Sequence, residues 1–255
     1  MLRTLTLTFT LLAAGTALGQ EQKLPLLLED DFENGADRWE PGDPKAWRIA
    51  EKSGSKVFEQ FQQSKIKTPH RSPFNYALAK DLIVGDFILT AKVLSTAKDG
   101  AHRDMCLFWG WQDPAHHYYV HISKQMDDRA HQIFIVDGKD RVKISKTTTK
   151  GVNWGDDWHQ VKIVRTVADG AITVYFDDMK TPIMTAVDRT FTWGRVGIGS
   201  FDDTGMYDDV KIHGKRVEKK GRSLGRDHHP QAFSIWLAGG RSGDRQMDRA
   251  LFSRT

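Results

Sequence analysis

Short runs with β-type composition recur along this chain, separated by turn residues, and they limit its fold more than any other feature. They cover residues 26–32, 47–51, 56–60, 76–82, 87–94, 105–111, 118–123, 132–136, 142–145, 158–165, 171–176, 183–187, 195–200 and 207–213. Many alternate between apolar and polar residues, the period of a half-buried antiparallel strand, and no apolar stripe of period 3.6 runs long enough for a helix. Asp169 with Gly170 reads as a tight hairpin joining 161–167 to 171–176, and Asp137 with Gly138 marks another turn. So many short strands in under two hundred residues predict an all-β fold in which two antiparallel sheets stack as a jelly-roll β-sandwich.

The ends of the chain read differently from this body. Met1, Leu2 and Arg3 precede a charge-free apolar stretch from Leu5 to Leu18, and Ala17 and Gly19 are small residues at a cleavage site, so residues 1–19 read as a signal peptide. The expected location is therefore secreted or periplasmic, with a jelly-roll domain over 20–214 and a basic linker and disordered tail over 215–255. The net charge of +4 does not indicate a polyanion-binding body. Of 37 basic and 33 acidic residues, 10 basic and 4 acidic lie in 215–255, leaving 27 and 29 in the rest. A single cysteine, Cys106, excludes an internal disulfide, and its place in the apolar run 105–111 reads as a small buried hydrophobe.

The richest polar-aromatic segment is 116–121, His-His-Tyr-Tyr-Val-His. Strand alternation puts His117, Tyr119, His121 and Ser123 on one face and Tyr118, Val120 and Ile122 on the other. The second set reads as core. The first set, joined by Trp109, Trp111 and Gln132 from neighbouring strands with Lys124 and Arg103 at the rim, offers rings for the C–H face of a sugar and polar groups for its hydroxyls. The same residues would equally suit an ordinary sheet face, since aromatics favour strands. His117 and His121 lie too far apart along one strand, roughly 13 Å, to share an ion. A retaining glucanase needs two carboxylates about 5 Å apart on one strand face, and the adjacent pairs Asp30/Asp31, Asp177/Asp178, Asp202/Asp203 and Asp208/Asp209 do not supply that pattern.

The order of short motifs resembles the concanavalin A-like lectin/glucanase superfamily, most of all laminin-G-like and 3-keto-glycoside hydrolase-like domains. The motifs are Glu29-Asp30-Asp31-Phe32, Phe108-Trp109-Gly110-Trp111-Gln112-Asp113, Trp158-His159-Gln160-Val161, Gly194-Arg195-Val196-Gly197 and Tyr207-Asp208-Asp209-Val210. The resemblance covers about residues 25–214 and implies a jelly roll that engages carbohydrate, as a non-catalytic glycan-binding module. The alternatives are a 3-keto-glycoside hydrolase-like or lyase-like enzyme using His121, His117 or Tyr119 as acid or base, and a structural spacer without ligand. The superfamily also implies a structural Ca2+ stapling the first and last strands, here through Glu29 or Asp31 and Asp208 or Asp209. In the tail, Asp227, His228 and His229 resemble a metal-ligand motif of an exported sulfatase-like family, without the large domain that would complete it.

Overall fold

The computed structural model describes residues 23–218. Residues 1–22 and most of the tail, including Asp227, His228 and His229, lie outside the described residues. The chain forms two antiparallel sheets, and among the described residues the only helical element is a short 3-10 turn at Pro44–Ala46. One sheet contains β1 (Leu26–Asp30), β3 (Trp47–Lys52), β4 (Ser55–Gln60), β6 (Val84–Ser95), β11 (Ser145–Thr148), β12 (His159–Arg165), β13 (Ala171–Phe176), β14 (Met184–Val187) and β16 (Gly205–Arg216). Its order is β11-β14-β13-β12-β6-β16-β4-β3, and β1 also pairs with β16. The other contains β2 (Trp39–Pro41), β5 (Asn75–Ala79), β7 (Asp104–Asp113), β8 (His116–Ser123), β9 (Gln132–Asp137), β10 (Val142–Lys143) and β15 (Arg195–Ser200), in the order β10-β9-β8-β7-β15-β5-β2.

The alternation read from the sequence builds the core between the sheets. Phe87, Leu89, Ala91 and Val93 of β6, with Val161 and Ile163 of β12, face Leu107 and Trp109 of β7 and Tyr118, Val120 and Ile122 of β8. The expected hairpin at Asp169 and Gly170 joins β12 to β13, with Arg165 opposite Ile172 and Gly170 at φ +77°. The run read as one strand at 142–145 is two. β10 pairs with β9 of the seven-stranded sheet, and after Ile144 the chain crosses to pair β11 with β14 of the other sheet. β16 continues through Arg216.

A glycine bulge in β7 matters most for the outer face. Phe108 lies opposite Gly197 and Trp111 opposite Arg195, so three steps along β7 match two along β15. Gly110 takes up the extra residue at φ +57°, a conformation that costs a side-chain-bearing residue energy. Gly194 packs against this bulge so closely that a Cβ on it would fall 2.2 Å from the Gly110 carbonyl carbon. The consequence is that Trp109 and Trp111, two residues apart, face opposite ways.

Candidate functional site

The outer face of the seven-stranded sheet carries a second apolar layer made of Leu78, Cys106, Phe108, Trp111, Tyr119, Phe134 and Val136, with Tyr76 and Phe201 packed against it. His117, Tyr119 and His121 lie on this face, as alternation predicts. Gln132 sits directly opposite His121 on β9 and shares the face. The Trp111 ring stacks on the His117 imidazole at 4.2 Å and also touches Tyr76 at 4.4 Å, and Tyr119 stacks on Phe134 at 5.1 Å. Trp109 does not join them. The bulge at Gly110 leaves it in the inter-sheet core, stacked on Tyr118 at 5.7 Å.

The layer is not an open groove. His117 and Tyr119 are 0% exposed and His121 and Gln132 only 4% and 3%, so the expected exposed surface is instead covered. Residues 61–74 link β4 to β5 without regular structure, and they meet the β9–β10 turn and the Phe201 ring at one end of the layer. The Arg71 N–H donates to Asp140 Oδ1 at 2.9 Å, and the Arg141 N–H donates to the Arg71 carbonyl at 3.1 Å. The Arg141 guanidinium acts as a clasp. It donates to Tyr119 Oη at 2.8 Å and to the Arg129 carbonyl at 2.9 Å, and it lies over the rings of Phe134 and Phe201 at 4.6 and 4.4 Å. A connection of this length without regular structure is uncommon in compact domains.

Two features of the covered layer have unspent hydrogen-bonding capacity. Both ring nitrogens of His117 are buried without a partner. Burial drives its pKa down to about 3, opposed in part by the Asp113 carbonyl nearby, which lies outside hydrogen-bonding geometry. The second feature is a polar pocket at the Asp104 end of β7. Asp104 Oδ2 accepts from the Phe201 N–H at 3.0 Å and the Cys106 thiol at 3.3 Å, and His121 Nε2 lies 3.2 Å from it. Asp104 Oδ1 and His121 Nε2 are buried without hydrogen-bond partners. His121 Nδ1 faces the Arg129 carbonyl at 3.0 Å. The Asp203 carboxylate accepts from the Asp104 N–H at 2.7 Å. Burial, then the Asp104 carboxylate, raises the Asp203 pKa to about 7, and the same causes in the same order raise Asp202. Burial would lower the His121 pKa, but Asp104 more than reverses that. Burial and Asp104 push the Cys106 thiol well up, so it is a thiol donor and, as expected, a buried small residue.

The residues expected to staple the terminal strands with calcium are not gathered into such a pocket. Glu29 holds Lys211 at 2.6 Å, Asp209 holds Lys92 at 2.5 Å, Asp208 Oδ1 accepts the Asp209 N–H, and Asp31 Oδ1 accepts the Glu33 N–H. One oxygen of each is thus engaged elsewhere, and among the described residues no three of these carboxylates bring ligand atoms within 4.8 Å of one another. At the expected rim, Arg103 is buried and donates to the Ser95 carbonyl and to Asp156, while Lys124 pairs with Asp99. Asp104, Asp203 and Arg141 are additions that sequence reading did not single out. The traceable signal was the unbroken apolar character of 105–111, since a strand apolar in both phases is covered on both faces.

No protein-family model matches this chain, and no curated protein matches it. Solved structures do. A protein of unknown function with a galectin-like fold from Bacillus subtilis superposes with a TM-score of 0.50 at 12% identity, covering 77% of this chain and 99% of that one. The carbohydrate-binding module CBM66 from Bacillus subtilis gives a TM-score of 0.49 at 16% identity over 69% of this chain and 96% of its own. Lectin I-B4 from Griffonia simplicifolia gives 0.45 at 12% identity over 71% and 94%. At these identities the likeness is one of fold, and the chain is a two-sheet jelly roll of galectin-like fold.

Proposed function

We propose that this domain engages carbohydrate on the outer face of its seven-stranded sheet, as a glycan-binding module. The observation that carries the reading is the continuous aromatic and imidazole layer from Tyr76 through Trp111, His117 and Tyr119 to Phe134, in which His117 has two buried and unpartnered nitrogens. Stacked rings beside unspent hydrogen-bonding groups match what a sugar ring offers, an apolar C–H face and a hydroxyl edge. On this reading the strap of residues 61–74 must move aside, and ligand binding includes the free energy of opening it.

The test is a glycan array run with the wild-type chain, with Trp111→Ala, and with a strap in which residues 65–70 are replaced by glycine and serine. A glycan hit should weaken about tenfold in Trp111→Ala, the size of one lost stacking contact. It should strengthen when the strap is loosened. Hits that ignore both changes, or no hit from any of the three proteins, would refute the assignment. Release of reducing ends or of unsaturated uronate from a bound polysaccharide would move the assignment to an enzyme.

A further inference from the structure

The geometry points to a divalent transition-metal site, of the Mn2+ or Zn2+ class, at the Asp104 end of β7, built from Asp104, His121, Asp202 and Asp203. It is separate from the glycan reading and from the acidic residues of the terminal strands. Among the described residues, two groups bring three potential ligand atoms within 4.8 Å of one another, Asp104 with Cys106 and His121, and Asp104 with Asp202 and Asp203, and Asp104 belongs to both. Two donors bound to one ion at about 2.1 Å stand at most about 4.2 Å apart, so each triplet is near that spacing, and Asp104, common to both, is the ligand through which His121 on one side and Asp202 and Asp203 on the other would converge.

Clustered carboxylates alone would not single out an ion, but the histidine does. His121 is 4% exposed, its Nδ1 faces the Arg129 carbonyl at 3.0 Å, and its Nε2, without a well-formed hydrogen bond, faces Asp104 Oδ2 at 3.2 Å. An imidazole whose Nδ1 is committed to a backbone carbonyl turns its Nε2 toward Asp104, the arrangement that orients a metal-binding histidine, and an ion would take the place of the proton between Nε2 and Asp104 Oδ2. The fully buried Asp104 adds an unpartnered oxygen, Oδ1. Asp202 is exposed and Asp203 partly exposed, so an ion can enter from solvent and keep water in its remaining positions. One nitrogen with carboxylate oxygens suits Mn2+ or Zn2+, whereas Ca2+ takes oxygen ligands only. The Cys106 thiol holds Asp104 in place as a hydrogen-bond donor.

The experiment uses the full chain, stripped with chelator and titrated calorimetrically with Mn2+, Zn2+ and Ca2+ in separate runs. Mn2+ or Zn2+ should bind with one ion per chain at this site, and melting should shift upward with it. Asp202→Asn, at an exposed position, and Asp203→Asn should each weaken binding by at least about tenfold while the far-ultraviolet spectrum stays native. His121→Gln should weaken it too, and His228→Ala with His229→Ala should leave it unchanged. The site is overturned if neither ion binds saturably, if Ca2+ alone binds, if the folded aspartate variants bind like wild type, or if the tail variant abolishes binding.

Discussion

His117 gives the most quantitative handle on the covered layer. Its imidazole is 0% exposed and stacked on Trp111, and its pKa falls from 6.5 to about 3. Between those two values the unfolded chain binds a proton that the folded chain does not. The neutral ring's contribution to stability is therefore fully present above pH 6.5 and is lost as pH falls toward 3. At about 1.4 kcal/mol per unit, the loss attributable to this residue is about 2 kcal/mol by pH 5, approaching about 5 kcal/mol across the whole span. The perturbation is His117→Phe, which keeps a ring against Trp111 and removes the proton site, with His117→Leu as a smaller replacement. Urea unfolding of wild type and variants, followed by tryptophan fluorescence at pH 7.5, 6, 5 and 4.5, gives the stability difference at each pH. Other acid-sensitive groups are common to all the proteins and cancel in that difference. The variants should gain on wild type by about 2 kcal/mol between pH 7.5 and 5. A difference flat to within about 0.5 kcal/mol would refute the reasoning, because it would mean that water reaches the ring and that the layer is open.

Tyr119→Ala and Tyr118→Ala should both destabilise by about 3 kcal/mol in urea unfolding, since both rings are fully buried. A silent Tyr119→Ala would mean that nothing covers the outer face. Gly194→Ala should cost more than about 2 kcal/mol and lower Tm, because its Cβ would fall 2.2 Å from the Gly110 carbonyl carbon and 2.4 Å from the Trp111 nitrogen, both backbone atoms. Asp140→Ala removes the carboxylate that accepts from the Arg71 N–H and should loosen the strap, so trypsin cleavage at the exposed Lys65 and Lys67, located by mass spectrometry, should speed up several-fold. An unchanged cleavage rate would show that the Asp140 carboxylate does not hold the strap.

Much of this architecture is legible in the sequence because side-chain direction in a strand has period two. That single fact assigns Tyr118, Val120 and Ile122 to one side of β8 and His117, Tyr119 and His121 to the other, and the structure agrees. It fails for Trp109 because a bulge changes the phase, and the glycine that makes the bulge lies between the two tryptophans without announcing its positive φ. It also fails at 142–145, where local composition does not reveal that the chain changes sheets after two residues. Partners for the terminal acids were equally hidden. Glu29 and Asp209 each face a lysine across a strand pair, and the pairing register needed to see this follows from the fold.

The covered layer has a different kind of invisibility. Periodicity states which residues share a face and says nothing of what lies over it. At the Phe201 end part of the cover is a segment containing lysine, proline and serine, residues 61–74, whose composition reads as an ordinary surface loop. It is tied down along its length, by Gln63 to the Asp202 carbonyl, Ser64 N–H to Asn75, Lys65 N–H to Asp43, Arg71 N–H to Asp140, and Phe74 edge-on to Phe201. The clue lay in the sheet beneath. A strand with one solvated face can be polar at alternate positions, whereas 105–111 offers no polar position and 133–136 none, so each face of β7 and β9 needs an apolar neighbour. The inter-sheet core satisfies one face. The other requires a cover drawn from elsewhere in the chain or from a bound molecule, and at its Phe201 end residues 61–74 supply part of it through Arg71 and Phe74.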